Sequence, residues 1–154
     1  MQHCDVLMAK LAEPVHVHWP EYLMEAAGLG LFMISAAVVT ATLEYPHSPL
    51  HYLFPDATVR RILIGLAMGL TAIGLIYSPW GKSSGAHLNP AVTVTFFRLG
   101  KMKGGDAFWY VASQFVGGTI GLWLAAQILG LAIEHPAVNY VVTVPGPQGT
   151  AIAF

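Results

Sequence analysis

Three stretches of this chain are long, apolar and nearly free of charge. Residues 22–43 contain one charged residue, Glu25, while residues 62–80 and 107–133 contain none. They are 22, 19 and 27 residues long. A helix that crosses a hydrocarbon core needs about 20 such residues. Inside lipid only helices and closed barrels satisfy every backbone hydrogen-bonding group, and these lengths suit helices. Composition agrees: 55% of the chain is hydrophobic and only 10% charged, whereas soluble domains carry about 25% charged residues. The expected fold class is an all-α membrane protein with transmembrane helices at about 22–43, 62–80 and 107–133. The first stretch is too long, and its N-terminal flank too mixed in charge, for a cleaved signal peptide. A net charge of −1 gives no reason to expect nucleic acid as a partner, and the single cysteine, Cys4, forms no intrachain disulfide.

Between the second and third stretches the chain runs Ser84 to Thr93, SGAHLNPAVT. A serine, a histidine and an Asn-Pro interrupt apolar sequence on both sides. The apolar piece that follows is too short to cross. Pro90 suits the first turn of a helix, where its missing N–H is harmless, and Gly100 is a natural stop. Pro90 to Gly100 is 11 residues, roughly 16 Å of helix, or about half a hydrocarbon core. Residues 81–100 therefore read as a re-entrant loop and half-helix, entering and leaving on one side. Its non-helical entrance must line a cavity or be buried in protein.

A half-helix of this kind aims its N-terminus at the bilayer centre. That end carries about half a positive charge, which repels cations and suits the oxygen of a neutral polar molecule. Asn89 adds an amide NH2 donor there. The extended Gly85-Ala86-His87 segment leaves carbonyls free as acceptors. Lining donors, acceptors and half-helix dipoles are how pores select. One half-helix covers only half the depth, so the pattern asks for a second unit in inverted orientation.

Basic residues set the expected orientation. Lys10, Lys82, Arg98, Lys101 and Lys103 fall on one side and Arg60 and Arg61 on the other, which puts the N-terminal segment 1–21 in the cytoplasm. Residues 134–150, rich in Pro and Gly, read as an external loop. The last residues, 151–154 (AIAF), are apolar again and read as the start of a truncated fourth helix, so the chain is expected to be a piece of a longer protein.

These features resemble the N-terminal half of an aquaporin, of the major intrinsic protein family. Asn89-Pro90-Ala91 matches the first of that family's two Asn-Pro-Ala motifs, within the family's SGAH and V-T context. Glu25-Ala26-Ala27-Gly28 matches its E-x-x-G on the first helix, although Leu29 stands where Thr is common. Gln114 in A-S-Q lies close to its A-Q on the third helix. The resemblance covers residues 22–130 and the start of a fourth helix at Ala151, and it makes residues 22–133 one three-helix repeat. It implies a passive channel for water or small neutral solutes such as glycerol, in a cell's plasma membrane. The carbonyls of Gly85, Ala86 and His87 would line the cytoplasmic half of the pore, and Asn89 would donate at its centre. Glu25 and Gln114 would be buried structural polar residues. Met68 falls near the constriction position of the second helix, with Gly69 or a neighbour as the alternative, because SPWGK lengthens the interval to Asn89 by one residue. The implied partners are membrane lipid, the permeant molecule, a second repeat and three further copies in a tetramer. The other reading is a non-conducting half that needs a partner to supply the second motif.

Other constellations are weaker. Gly65/Gly69 and Gly117/Gly121 have the spacing that lets helices approach closely. Trp19, Trp80, Trp109 and Tyr110 lie at span ends, as interfacial anchors do. His16 and His18, with His3, His47 and His51, fall on different sides of the membrane and make no convincing metal site. Ser83 and Ser84 in their glycine turn have no base and orienting group beside them. No enzyme activity, cofactor or metal is expected.

Overall fold

The computed structural model describes the backbone of residues 2–142 and the side chains of residues 17–142. The remainder of the expected external loop, 143–150, and the expected fourth-helix start, 151–154, lie outside the described residues. Among the described residues seven α-helices follow in order: α1 (Gln2–Glu44), α2 (Pro49–Leu53), α3 (Ala57–Tyr77), α4 (Pro79–Ser84), α5 (Pro90–Arg98), α6 (Gly104–Leu129) and α7 (Leu131–Glu134), then a 3₁₀ turn at Asn139–Val141. Three segments among the described residues are long and apolar enough to cross a membrane: Val17–Glu44, Ala57–Tyr77 and Gly104–Leu129. The chain is an integral membrane protein with an all-α fold.

The helix boundaries depart from the expected ones for local reasons. The first helix does not begin at 22 but runs back through the N-terminal segment, with a break in helical geometry at His18 (φ −116°, ψ 17°). Pro20 lies two residues on, and a helix-interior proline displaces the carbonyl four residues before it. The second span starts at Ala57 rather than 62. The Asp56 carboxylate caps it, accepting the backbone N–H of Thr58 at 2.8 Å and of Val59 at 2.9 Å. It ends at Tyr77 rather than 80 because Ser78, preceding Pro79, is extended (ψ 158°), as residues before proline are. Ser78 then caps α4, its Oγ accepting the Gly81 N–H at 3.0 Å. The third span runs from Gly104 to Leu129, not 107–133, and Gly130 at positive φ breaks it from α7.

α5 begins at Pro90 and closes in a Schellman turn. The Lys101 N–H reaches the Phe96 carbonyl and the Gly100 N–H the Phe97 carbonyl, both at 3.0 Å, with Gly100 at φ +68°. This is the bonding that a left-handed glycine after a helix end makes possible.

α1 and α6 form the spine. A methyl group on Gly117 would overlap the Ala26 carbonyl oxygen, and one on Gly121 would overlap that of Gly30. The two backbones therefore touch directly, as small residues permit. At one end of this spine Ala37, Ala41, Ala125, Ile133 and Val138 form the hydrophobic core. Gly65 and Gly69 behave differently from the other glycine pair: nothing among the described residues lies within 4 Å of a methyl placed there. α3 leans on α1 through the Ser35 and Thr71 hydroxyls, 2.8 Å apart. It leaves Ile62, Leu66, Leu70 and Ile73 exposed, a stripe at helical spacing that suits lipid.

Candidate functional site

The site is built around one carboxylate. Glu25 is fully buried on α1, eight residues after Val17, or about 12 Å into its span. Its Oε1 accepts the Ser84 hydroxyl at 2.8 Å and the His87 backbone N–H at 3.0 Å. Its Oε2 accepts the Leu88 backbone N–H at 2.7 Å and the Gln114 amide at 2.8 Å. A carboxylate offers about four lone-pair positions, and all are taken. Burying an unpaired charge in lipid is expensive. Here the donors replace water.

Those bonds hold a backbone that would not adopt its shape freely. Gly85 (φ +87°), Ala86 (φ +47°) and Leu88 (φ +46°) all lie in the left-handed region. For Ala and Leu this costs about 1–2 kcal/mol each, and it persists only where the surroundings enforce it. Glu25 does so by fixing the N–H groups of His87 and Leu88. Gly28 completes the fit: a methyl there would collide with the Leu88 side chain. One face of α1, at positions i and i+3, thus receives the loop through a carboxylate and a missing side chain.

The other wall is α6. Tyr110 donates its hydroxyl to the Ser84 carbonyl at 2.7 Å. Four residues on, Gln114 gives one amide hydrogen to Glu25 and the other to Thr93 Oγ1 at 3.0 Å. Thr93, on α5 and fully buried, also meets His87 Nδ1 at 3.1 Å. The His87 ring packs on Phe96 and Tyr110, with centroids 4.6 and 5.2 Å away.

Asn89 caps α5 from an extended backbone (φ −160°, ψ 124°), and its Oδ1 accepts the Ala91 N–H at 2.8 Å. That bond fixes which way round the amide sits, so the NH2 points away from the helix. Asn89 is exposed, and its NH2 has no hydrogen-bond acceptor among the described residues. Nor does any described group donate to the carbonyls of Gly85, Ala86 or His87. Pro90 supplies the first turn and Ala91 the N–H that orients Asn89.

Gly85 to Ala91, Glu25 and Gln114 thus come together. Met68 does not join them: it is half-buried on α3, one turn before Thr71, and no bond of this network reaches α3. Thr93, Tyr110 and Ser84 belong to the network but were not among the expected site residues. Tyr110, Gln114, Gly117 and Gly121 are spaced four, three and four apart, a single face of α6, and that spacing was the available signal.

Away from this site, Tyr22 donates to Asp106 Oδ1 at 2.7 Å, and His18 Nδ1 lies 2.8 Å from the same oxygen. At the opposite end Arg60 meets Glu44 Oε2 through Nε and Nη2, both at 3.1 Å. Its Nη1 donates to the Phe54 and Pro55 carbonyls at 3.0 and 2.9 Å. Among the described residues no three His, Cys, Asp or Glu side chains gather to hold a metal.

The chain is 39% identical over 88 residues to a probable aquaporin AqpM of Archaeoglobus fulgidus, covering 57% of this chain and 32% of that protein. It is 37% identical over 93 residues to Aquaporin Z of Photorhabdus laumondii, covering 60% and 38%. It is 40% identical over 89 residues to human Aquaporin-5, covering 58% and 32%. The matched stretch thus spans about a third of the length of these relatives. No solved structure matches the chain. Residues 14–149 match the family model described as major intrinsic protein, a family of channels rather than enzymes, and the chain belongs to the major intrinsic protein family.

Proposed function

We propose that this chain forms the N-terminal repeat of a passive transmembrane channel for water and small neutral solutes such as glycerol, its Gly85–His87 carbonyls lining the cytoplasmic half of the pore. The observation that carries the reading is the Asn89 amide. Its oxygen is consumed by the helix cap, and its NH2 is left as a donor at the N-terminus of a half-helix. The same terminus carries the positive end of the helix dipole, which disfavours protons and cations there. The open carbonyls of Gly85, Ala86 and His87 supply acceptors leading up to it. A molecule that both gives and takes hydrogen bonds fits such a row, and an ion without its hydration does not. Met68 is this chain's contribution to the constriction in this reading, and its flexible thioether permits a pore wider than a strict water filter.

The five-to-two basic asymmetry supports an N-terminus in the cytoplasm, and in this reading the membrane is the plasma membrane. The pore is completed by a second, inverted repeat, and the complete channel is a homotetramer. The second reading, a half that conducts only when a partner supplies that repeat, has one argument behind it. Two copies inserted the same way present both half-helices to the same face, and the basic asymmetry disfavours dual orientation.

The test is stopped-flow osmotic swelling of liposomes. One set holds this chain alone, and the other holds this chain joined to the C-terminal half of Aquaporin Z from Photorhabdus laumondii. Water permeability above empty liposomes is expected in the joined protein, and Asn89→Asp is expected to depress it or admit cations. A correctly inserted joined protein with no water permeability would overturn the proposal. Permeability of the single chain in one orientation would remove the need for the second repeat.

A further inference from the structure

The hydrogens around Thr93 can be followed one by one. Gln114 must turn its NH2, not its oxygen, toward the Glu25 carboxylate. Its second hydrogen then points at Thr93 Oγ1, 3.0 Å away. Thr93 is on a helix, and its hydroxyl lies 3.3 Å from the carbonyl of Asn89, four residues back. That is the usual acceptor for a helical threonine. With its own hydrogen directed there, Oγ1 keeps one lone pair, facing His87 Nδ1 at 3.1 Å. A hydrogen on Nδ1 fills that lone pair and points into the network centred on the Glu25 carboxylate. The opposite ring nitrogen, Nε2, has no hydrogen-bond partner among the described residues. It sits under Gly85, 3.9 Å from where a methyl on that residue would be.

We infer that Thr93 is a positioning residue that holds His87 in its Nδ1–H tautomer, leaving a bare Nε2 as one more acceptor beside the Gly85–His87 carbonyls. The tautomer follows from giving the Thr93 hydroxyl hydrogen to the Asn89 carbonyl at 3.3 Å rather than to Gln114 Oε1 at 3.5 Å or to His87 Nδ1. Its use in permeation rests on the channel reading: the permeant molecule donates to Nε2 and the carbonyls and accepts from Asn89. Gly85 is needed here for a second reason besides its positive φ, since it leaves the ring edge uncovered.

The test is nitrogen NMR of the chain labelled with ¹⁵N-histidine in lipid nanodiscs, with the His87 ring assigned by comparison with His87→Asn. The expected ring carries its hydrogen on Nδ1 and none on Nε2. Thr93→Val, which keeps the shape and removes the hydroxyl, is expected to release the ring to a mixture of tautomers, and Thr93→Ser to restore the parent signature. A parent ring protonated on Nε2 overturns the inference, as does a Thr93→Val ring identical to the parent's. In the joined channel Thr93→Val is expected to lower water permeability about threefold, the size of one neutral hydrogen bond, with Thr93→Ser recovering it. Unchanged permeability of Thr93→Val there overturns the positioning role. The NMR measurement needs no conduction, so failure of the channel reading and failure of this inference are separable.

Discussion

The Glu25 carboxylate accepts the backbone N–H of Leu88 at 2.7 Å across 63 residues of chain. With its three other donors it turns a loop of left-handed residues into a fixed wall. Everything proposed for the site depends on that wall, because carbonyls line a path only if the backbone cannot turn over.

Glu25→Gln is therefore expected to cost more than a lost charge. Its new NH2 would face either the Leu88 N–H and the Gln114 amide or, turned over, the His87 N–H, donor against donor in both cases. Stability should fall by about 3 kcal/mol, the scale of buried bonds to a charged group with a partner left unpaired. An SDS unfolding titration of parent and variant reads this directly. A loss below about 1 kcal/mol would mean that the loop is held by something else.

The two glycine pairs should separate cleanly. Gly117→Ala places a methyl against the backbone carbonyl of Ala26, which cannot move aside without parting α1 from α6. A loss of about 2 kcal/mol is expected, as for overpacked cores. Gly65→Ala meets nothing within 4 Å and should gain up to about 0.8 kcal/mol from helix propensity. The same unfolding titration compares them, and equal effects would contradict the observed packing.

Arg60 joins the end of α1 to the α2–α3 turn through a fork that lysine cannot reproduce. Arg60→Lys is expected to lose about 2 kcal/mol, since Glu44 and the Phe54 and Pro55 carbonyls share a single guanidinium. Proteolysis between α2 and α3 should quicken in step. Full retention of stability in Arg60→Lys would show that charge alone suffices.

Asp56 gives a pH dependence. The backbone N–H groups of Val59 and Thr58 hold its carboxyl below the ordinary value of 3.8. The cap's contribution is therefore complete above that value and fades as pH falls through the lower folded-state value. Asp56→Asn keeps a capping oxygen with nothing to titrate. On acidification the parent's melting temperature should fall further than the variant's, and parallel falls would assign the acid sensitivity elsewhere.

Much of this architecture was legible in the chain itself. Three apolar runs, with Glu25 their one charge, announced three spans, and Pro90 and Gly100 bracketed the short helix α5, because composition and turn chemistry act locally. Glu25 stood out as the one charge in an apolar run, and Gln114 through the family resemblance of its A-S-Q. Counting apolar residues missed the ends of helices, where capping decides: Asp56 starts α3 and Ser78-Pro79 ends it. The roles of Thr93 and Tyr110 were hidden for another reason. Thr93 looks like an ordinary helical residue and Tyr110 like an interfacial anchor, yet Tyr110 is buried, and only the meeting of α1, α5 and α6, distant in sequence, gives these hydroxyls their partners. Met68 was placed by counting back from Asn89, and α3 carries it on a helix that no bond of the network reaches.

The claim beneath the whole account is that residues 81–100 enter and leave the membrane on one side. Cysteine labelling tests it most directly. In a Cys4→Ser background, Lys82→Cys, Lys101→Cys and Tyr52→Cys are each exposed to a membrane-impermeant maleimide from one face of oriented vesicles and then from the other. The account predicts that positions 82 and 101 label from the same face and position 52 from the opposite one. Labelling of 82 and 101 from opposite faces would make α5 a crossing helix and leave Asn89 with no pore to face.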